Sequence, residues 1–570
     1  MKKLLLLVLL ACCAPLVGCF KTSEVLSGGD SALHGDGGPA GSGGGTGARP
    51  EGCSRGGVCT EIEVTNIDKV DLLFAIDNSS SMAEEQAALT EQFPRLLQRL
   101  TTGDRDGDGE QDFPPAKDVH LGVVSSDLGT VGISDYEGCS RLGDDGVLQN
   151  RPRLGSCKAS YPPFLVYNAG INTSLDVAQD FACIATLGTA GCGFEQPLDS
   201  ALKALWPGAD DRITFLADTN GGGARGHGDA ENAGFLRNDP VMGRSLIAVV
   251  VVSDDDDCSH LDSSFLRPPT QLDPSVPSDA QLLEQGPNAR CGLNPDKLFP
   301  TSRYVDALRA LRADSEELVV FAAIVGVPPA TVGADVLAIT DFNSADDRAE
   351  FYDRIANHQA MQPVLDDRGT PDVLDDRMRP SCETSHGPAF PPHRIVEVAK
   401  GFGANGIVQS SCEDDYAPAI DAIVNRIAPN LGSTCLDQGL GRNSSQLVAC
   451  DVIWELPPAG HAVVGTPTRC DAASHEFLLP PRGGATRTDQ GGARCRVAQL
   501  PTRQAGVGGV GVVPWPNDDG ITEGWYYDDF SEEIEHECKA GARSRITFTP
   551  SARPPTGVRV LLDCAPDAGL

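Results

Sequence analysis

The sequence predicts an α/β fold, a parallel sheet flanked by helices, followed by a smaller, mostly β domain rich in disulfides. From residue 70 to about residue 428, short apolar runs alternate with segments of helical periodicity, which is typical of parallel α/β sheets. From Cys435 onward the segments are short, bounded by turns and rich in β-forming residues. The chain has 19 cysteines, and the 16 that follow residue 19 are an even number, as expected for disulfides in an exported protein.

The N-terminus is typical of a secretory leader. Two lysines precede a short apolar run, and the tetrapeptide Leu-Val-Gly-Cys that ends at Cys19 resembles a bacterial lipobox. We expect residues 1–18 to be a lipoprotein signal peptide and Cys19 to carry the lipid. An ordinary signal peptide, or a lipobox ending at Cys12, is the alternative. Residues 19–59 are rich in Gly and Ser and are predicted to be a flexible tether.

The composition restricts the classes of partner. The formal net charge is −35, and a strongly negative surface repels nucleic acid and anionic lipid head groups while it concentrates divalent cations. No segment after the leader is long and apolar enough to cross a bilayer. We therefore expect an exported protein with no nucleic-acid partner. It would be held at the cell envelope, at the outer membrane or cell surface, through a lipid anchor only.

Residues 60–430 are predicted to form the α/β domain. Its strand candidates are apolar runs at Val70–Ile76, Val119–Val124, Ser245–Val252, Leu318–Val325 and Gly406–Gln409. Its helix candidates are Met82–Leu100, Leu198–Leu205, Arg303–Leu311, Ala345–Ala356, His393–Lys400 and Ala417–Ile427. Three long segments rich in Gly, Pro and Asp are expected to be surface insertions, at 127–180, 207–243 and 259–300.

Residues 435–570 are predicted to form the small β domain. Its β-prone segments are Gln446–Trp454, His461–Val464, Val507–Pro514 and Arg543–Thr549. The aromatic run Trp525-Tyr526-Tyr527 is expected in its core, with a carbohydrate- or protein-binding patch as the alternative. Neighbouring cysteines suggest the local pairs Cys53–Cys59, Cys139–Cys157, Cys183–Cys192, Cys258–Cys291 and Cys382–Cys412, and the pairing of the last six stays open.

The first strand candidate ends in a run of small oxygen-bearing residues. Asp77, Ser79 and Ser81 stand at alternate positions, D-x-S-x-S, directly after it. Ligands of open α/β sheets bind outside the carboxyl ends of the strands. Carboxylate and hydroxyl oxygens suit a hard divalent cation. The arrangement resembles the metal-ion-dependent adhesion site (MIDAS) of von Willebrand factor A (vWA) domains, and the chain resembles vWA-containing bacterial lipoproteins.

The vWA resemblance implies a Rossmann-like sheet and two further metal ligands. Asp254 follows the most apolar strand candidate and matches the family's aspartate, with Ser253 and Asp255 in place of its Thr and Gly. Thr189, in a glycine-rich segment, is the candidate for the family's threonine, and Glu195 is an alternative oxygen donor.

The resemblance also implies a function. The ion would be Mg²⁺ or Mn²⁺, with Ca²⁺ as a further candidate, and the carboxylate of a protein ligand would complete its coordination shell. This predicts divalent-cation-dependent protein binding or adhesion. The alternative for the Asp77–Ser81 run is a helix N-cap, since Asp and Ser are favoured there. In that case the fold would be a metal-free structural scaffold of the envelope.

A second cation site is predicted in the acidic segment 104–112. Asp104, Asp106 and Asp108 alternate and Gly109 takes the sixth position, which matches the first half of an EF-hand-like calcium loop. Asp112 is a fourth acid, but the closing Glu of an EF-hand is replaced by Pro115. A solvated acidic turn is the alternative to a Ca²⁺ site.

The sequence does not favour an enzyme. It contains no G-x-S-x-G elbow, no H-E-x-x-H zinc helix and no G-x-x-x-x-G-K phosphate loop. An enzyme with an unrecognised site is the third hypothesis, after the cation-dependent binding module and the metal-free scaffold.

Overall fold

The computed structural model describes residues 59–62, 67–109, 111–133, 136, 138–217, 225–237, 245–313, 315–384, 387–431, 434–436, 439–456, 475–477, 494–504, 512–517, 520–530, 534, 543–549, 552, 554 and 559–565. In chain order the strands are β1 (Cys59–Ile62), β2 (Lys69–Ile76), β3 (Asp118–Ser125), β4 (Leu165–Asn168), β5 (Leu246–Ser253), β6 (Val319–Val325), β7 (Leu365–Asp366), β8 (Arg377–Met378), β9 (Cys382–Thr384), β10 (Gly387–Ala389), β11 (Gly406–Ser410), β12 (Thr434–Leu436), β13 (Cys450–Glu455), β14 (His475–Phe477), β15 (Arg494–Val497), β16 (Gln499–Leu500), β17 (Thr502–Gln504), β18 (Val512–Pro514), β19 (Trp525–Asp528), β20 (Ser544–Phe548) and β21 (Arg559–Cys564). The α-helices are α1 (Ala83–Glu91), α2 (Phe93–Thr102), α3 (Ser174–Ala185), α4 (Pro197–Leu205), α5 (Pro277–Leu283), α6 (Arg290–Leu293), α7 (Ser302–Ala310), α8 (Ala334–Ile339), α9 (Ala345–Ala356), α10 (His393–Gly401) and α11 (Ala417–Ile427).

A six-stranded sheet flanked by helices forms the α/β region, with the order β11-β6-β5-β2-β3-β4. All neighbours in it are parallel except β4, which pairs antiparallel with β3. Every residue of β5 and β6 is buried, as expected where both faces of a parallel sheet are covered. The predicted α/β sheet is therefore confirmed, and each of its five predicted strands lies within two residues of its expected bounds.

The strand order determines where a ligand site can form. The chain passes outward from β2 through β3 to β4, then returns to β5 on the other side of β2. This reversal is a topological switch point, where the connections leave adjacent strands in opposite directions and open a crevice. The carboxyl ends of β2 and β5 are level there, since Ile76 pairs with Val252.

One predicted helix is divided in two. The segment expected as Met82–Leu100 forms α1 and α2, separated at Gln92, and Pro94 lies in the first turn of α2. Proline lacks the amide proton that a helix interior needs, but the first turn has no use for it, so the proline marks a new start.

The long segments expected as surface insertions contain regular structure. The first holds β4 and the start of α3, and the third holds α5 and α6. Phe181 of α3 and Phe235 are buried in the main core. The sequence did not indicate these elements because they are short or lie among glycines and prolines, so their periodicity is weak.

Two sheets make up most of the C-terminal region, a five-stranded one in the order β1-β21-β13-β15-β14 and a four-stranded one in the order β12-β20-β19-β16. Trp454, Trp525 and Tyr527 are buried in one shared core, which confirms the core interpretation for two of the three aromatic residues in the run 525–527. Strand β1 precedes the α/β region in sequence but pairs with β21. The described residues, from Cys59 to Ala565, belong to one compact unit.

The disulfides confirm two predicted pairs and correct two others. Cys258–Cys291 and Cys382–Cys412 are bonded as expected. The pairs Cys139–Cys157 and Cys183–Cys192 were wrong, because the observed disulfides are Cys139–Cys192 and Cys157–Cys183. Proximity in the fold overrides proximity in sequence here, since α3 carries Cys183 back to the segment that holds Cys157. A fifth disulfide, Cys450–Cys564, joins directly paired residues of β13 and β21.

Several predictions fall outside the described residues: the leader 1–18, the lipidated Cys19, nearly all of the tether, the pair Cys53–Cys59 and the segment His461–Val464. In the part of the chain that the structure describes, no helix is long and apolar enough to cross a membrane.

Candidate functional site

The loops that follow β2, β3 and β5 converge on Asp77. Its backbone N–H donates to the carbonyl of Val252, which ties the end of β2 to β5. Its carboxylate accepts from Ser253 Oγ at 2.7 Å on Oδ2 and from Ser126 Oγ at 3.3 Å on Oδ1. One fully buried carboxylate thus orders hydroxyls from two neighbouring strands.

The direction of these hydrogen bonds affects what the hydroxyls can do. A serine hydroxyl has one proton and two lone pairs. Because the protons of Ser253 and Ser126 point at Asp77, the lone pairs of both oxygens are directed elsewhere. Hydroxyls held in this way are acceptors, and Ser253 Oγ already accepts from the backbone N–H of Asp255 at 3.1 Å. The lone pairs that remain suit a cation rather than a second hydrogen-bond acceptor.

The other two residues of the D-x-S-x-S run lie in the turn that leads into α1. The backbone N–H of Ser79 donates to Asp77 Oδ1 at 2.7 Å, and the hydroxyls of Ser79 and Ser81 are 3.3 Å apart. Ser79 is buried, whereas Ser81 is exposed. The run therefore presents one inner and one outer hydroxyl on the same side of the turn.

Asp254 has one unpaired carboxylate oxygen in this cluster. Its side chain is 2% exposed, and its Oδ1 atom is buried without a hydrogen-bond partner. Buried polar atoms are nearly always paired, and an unpaired carboxylate oxygen is especially costly. The backbone carbonyl of Asp254 accepts from Phe390 N at 2.7 Å, which fixes the residue in place.

Four acids repel one another at this end of the sheet. Burial, then the charges of Asp77 and Asp255, raise the pKa of Asp254 to about 9. Burial and the same neighbouring charges raise the pKa of Glu195 well above its ordinary value. The pKa of Asp77 is raised by burial, and burial and the Asp77 charge raise the pKa of Asp255 to about 7. The ionised forms of these four acids are therefore unfavourable unless a positive charge is bound close to them.

The glycine-rich segment supplies Glu195 to this cluster. The segment is docked on the D-x-S-x-S turn because Gln86 exchanges hydrogen bonds with both backbone groups of Gly188, and Gly191 N donates to the carbonyl of Asn78. Glu195 is 5% exposed and senses the charges of the three aspartates. Thr189 lies on the same segment, exposed and without a hydrogen bond to any described residue.

The acidic run after β5 divides into two halves with different roles. Asp256 accepts from the backbone N–H of Arg394 at 3.0 Å and so caps the start of α10. Asp257 accepts from Leu198 N at the start of α4 and forms an ion pair with Arg394. Only Asp254 and Asp255 remain for the cluster.

Sequence reasoning missed part of the site. Ser126 and Asp127 directly follow β3, the strand beside β2, and burial raises the pKa of Asp127 to about 6, with Asp144 and Asp77 adding to the rise. The rule that selected Asp77 and Asp254, polar residues directly after a buried parallel strand, also selects this pair. Glu85 of α1 was missed as well, and its charge raises the pKa of Asp254 further.

The predicted calcium loop also brings its acids together. Potential ligand oxygens of Asp104, Asp106 and Asp108 all lie within 4.8 Å of one another, the one place in the described residues where three or more Asp, Glu, His or Cys side chains do so. Asp112 is not part of this group; its Oδ2 accepts from the backbone N–H of Arg105 at 2.7 Å, while the two oxygens of Asp104 accept from the N–H groups of Gly107 and Gly109.

The two clusters differ in chemistry. The Asp77 cluster mixes carboxylates with hydroxyls in a buried crevice, whereas the Asp104 cluster is a surface loop of carboxylates alone. Both offer only oxygen donors, the preference of Mg²⁺, Mn²⁺ and Ca²⁺. No protein-family model matches the chain, and a comparison with curated proteins finds no match either.

Proposed function

We propose that this protein binds a divalent cation, Mg²⁺ or Mn²⁺, at the carboxyl ends of β2 and β5, and through that cation a carboxylate of a partner protein. The observation that carries the proposal is the buried, unpartnered Oδ1 atom of Asp254. A buried carboxylate among other carboxylates is stable only if it stays protonated or meets a cation.

The donor set fits such a cation. Asp254 would supply a carboxylate oxygen, and Ser79 and Ser81 would supply hydroxyl oxygens. The carboxylate of Asp77 already accepts three hydrogen bonds on its two oxygens. Its main role would therefore be to hold the turn and to orient Ser253, while the other residues supply most of the oxygens that bind the cation. These ligands leave room on an octahedral ion for water or an external carboxylate.

The likeness to vWA domains supports the same conclusion. The D-x-S-x-S turn and Asp254 lie on adjacent strands at the switch point of a doubly wound sheet, where the resemblance expects the adhesion site. Ca²⁺ is a weaker candidate for this site. On this proposal the chain is an exported, lipid-anchored adhesion or binding protein of the cell envelope, and no catalytic step is involved.

The test compares two neighbouring aspartates. Calorimetric titration of Mg²⁺ and Mn²⁺ into the oxidised protein is expected to show one site, which Asp254→Asn abolishes. Asp256→Asn is the matched control, because Asp256 caps α10 and should affect stability without affecting the site. Equal cation binding in the wild type and in Asp254→Asn would overturn the proposal.

A metal-free scaffold is the competing function. It predicts that the protein co-purifies with envelope components in the presence of chelator and that Asp254→Asn changes nothing but stability. The cation-bridge proposal predicts that chelator releases the partner.

A second cation function is favoured by the convergence of Asp104, Asp106 and Asp108. We propose that this loop takes Ca²⁺ as a structural ion that stiffens the connection between α2 and β3.

A further inference from the structure

Arg377 lies beside the proposed cation site, on a hairpin that the sequence analysis did not single out. It belongs to β8, whose partner strand β7 places Asp366 opposite it. Its guanidinium carbon lies 5.4 Å from the ring centroid of Phe390. The backbone N–H of Phe390 donates to the carbonyl of Asp254 at 2.7 Å. Phe390 therefore contacts both the guanidinium of Arg377 and the backbone of Asp254.

The guanidinium has unused binding capacity. Its Nε atom is buried without a hydrogen-bond partner, and its contact with Asp366 Oδ2, at 3.7 Å, is longer than a hydrogen bond. The side chain is 28% exposed. Arg394 is also near the site, but it already donates to Asp257 and to the carbonyl of Phe299. Of these two arginines, Arg377 is the one with a donor that no described residue accepts.

The segment that carries Arg377 toward the site is firmly attached. Cys382 is bonded to Cys412 after β11, and the N–H of Ser381 donates to the carbonyl of Ala389. Asp256 holds the far end of the segment at Arg394. A recognition group held on such a segment is presented with little loss of conformational entropy.

The charge of Arg377 reaches the cluster. Its positive charge lowers the pKa of Asp255, against the larger effects of burial and of Asp77. The same charge must disfavour a second cation nearby and favour an anion.

We propose that Arg377 is a specificity-determining residue for the ligand of the cation site: its guanidinium binds one oxygen of the partner's Asp or Glu carboxylate while the other oxygen completes the cation's shell. This inference rests on the proposed function. The planar fork of an arginine matches a carboxylate, and charge-assisted hydrogen bonds of this kind are among the stronger ones in proteins. The partner chemistry is therefore an acidic side chain.

Acetate serves as the probe ligand. It is titrated into the Mn²⁺-loaded, full-length, oxidised protein, and water-proton relaxation reports the displacement of water from Mn²⁺. Arg377→Gln is expected to weaken acetate binding at least about tenfold, since a charge-assisted hydrogen bond contributes more than the 1.4 kcal/mol that tenfold represents. The acetate affinity of Arg377→Lys should lie between those of the wild type and Arg377→Gln, because lysine keeps the positive charge but lacks the planar fork of the guanidinium. Arg379→Gln, an exposed arginine two residues on, is the matched control and should bind acetate like the wild type.

The Mn²⁺ titration separates this inference from the function beneath it. Arg377→Gln should bind Mn²⁺ as tightly as the wild type or more tightly, although it binds acetate more weakly. Normal Mn²⁺ binding with unchanged acetate binding in Arg377→Gln would overturn the role of Arg377 and leave the cation site standing. Absence of Mn²⁺ binding in the wild type would overturn the proposed function, and this inference with it.

Discussion

Ser253 Oγ donates to Asp77 Oδ2 at 2.7 Å, and this hydrogen bond joins the carboxyl ends of the two central strands. Both residues are fully buried, and 176 positions separate them in sequence. The bond gives Asp77 a fixed orientation and directs the lone pairs of Ser253 away from it. It couples the formation of the site to the packing of β2 against β5.

Ser253→Ala should damage both the fold and the site. Loss of the donor leaves a buried carboxylate oxygen unpaired, which costs about 1–3 kcal/mol of unfolding free energy. We expect cation affinity to fall by about 10- to 100-fold, as when residues that orient metal ligands are removed. Urea denaturation and calorimetry measure the two effects. Ser80→Ala, which removes an exposed hydroxyl from the same turn, should change neither; equal effects from both variants would contradict the role of Ser253.

The metal-free protein should lose stability as the pH rises from 7 to 9. The folded pKa of Asp254 is about 9, far above the ordinary value of 3.8, so the folded state holds a proton that the unfolded state has released. The state that binds more protons is disfavoured by rising pH, here by up to about 1.4 kcal/mol per pH unit. In this range the four histidines His120, His227, His260 and His393, which are partly or fully buried and whose pKa values burial lowers, stay neutral.

Thermal unfolding in chelator, compared with saturating Mg²⁺, measures this effect. Chelator should give a melting temperature that falls with pH, and Mg²⁺ should flatten the curve because it binds the ionised form. Asp254→Asn should have a smaller slope in chelator, although some slope remains because burial also raises the pKa of Glu195 and raises those of Asp255 and Asp256 to about 7. A slope that persists unchanged in Asp254→Asn would assign the pH dependence to other groups.

The central sheet could be predicted from sequence because its strands are uniform apolar runs. Leu246–Ser253 needs both faces covered, and only a parallel sheet between helices provides this. Strand β4 could not be predicted in the same way, because it has four residues and only its first is buried. The division at Gln92 was in principle readable from Pro94, but a helical apolar spacing on both sides concealed it.

The candidate site was predictable only where strand ends marked it. Asp77, Ser79 and Asp254 follow strands that sequence identifies, and the structure brings them together. Glu195 and Arg377 come from connecting segments whose course depends on disulfides and on hydrogen bonds such as Phe390 N to the Asp254 carbonyl. No local sequence signal specifies those contacts. For the same reason, the sequence prediction assigned the wrong partners to Cys139 and Cys192.

That disulfide should matter to the cation site. It anchors the glycine-rich segment that carries Glu195, which is pinned otherwise by Gln86 and Asn78. Replacing both cysteines by serine should cost about 2–4 kcal/mol of unfolding free energy and should also weaken cation binding by about tenfold.

The disulfide Cys450–Cys564 provides the control for this comparison, since it joins β13 to β21 in the C-terminal sheet. Its double serine variant should lower stability by a similar amount without altering cation affinity in calorimetry. Equal loss of cation binding in both variants would show a general effect of destabilisation rather than a specific role of the glycine-rich segment.

Calcium should stabilise the protein through the loop 104–112, independently of the main site. An ion that binds only the folded state at about 100 times its dissociation constant adds about 2.7 kcal/mol. Asp104→Asn should abolish the rise in melting temperature that Ca²⁺ produces, because Asp104 is one of the three converging acids. Asp112→Asn should largely retain the rise, since Asp112 is not among the converging acids. Asp254→Asn should also retain this rise in melting temperature, because Asp254 lies at the other site. If Asp254→Asn lost the Ca²⁺ effect and Asp104→Asn kept it, calcium would bind in the crevice between β2 and β5. The surface loop would then be a solvated turn.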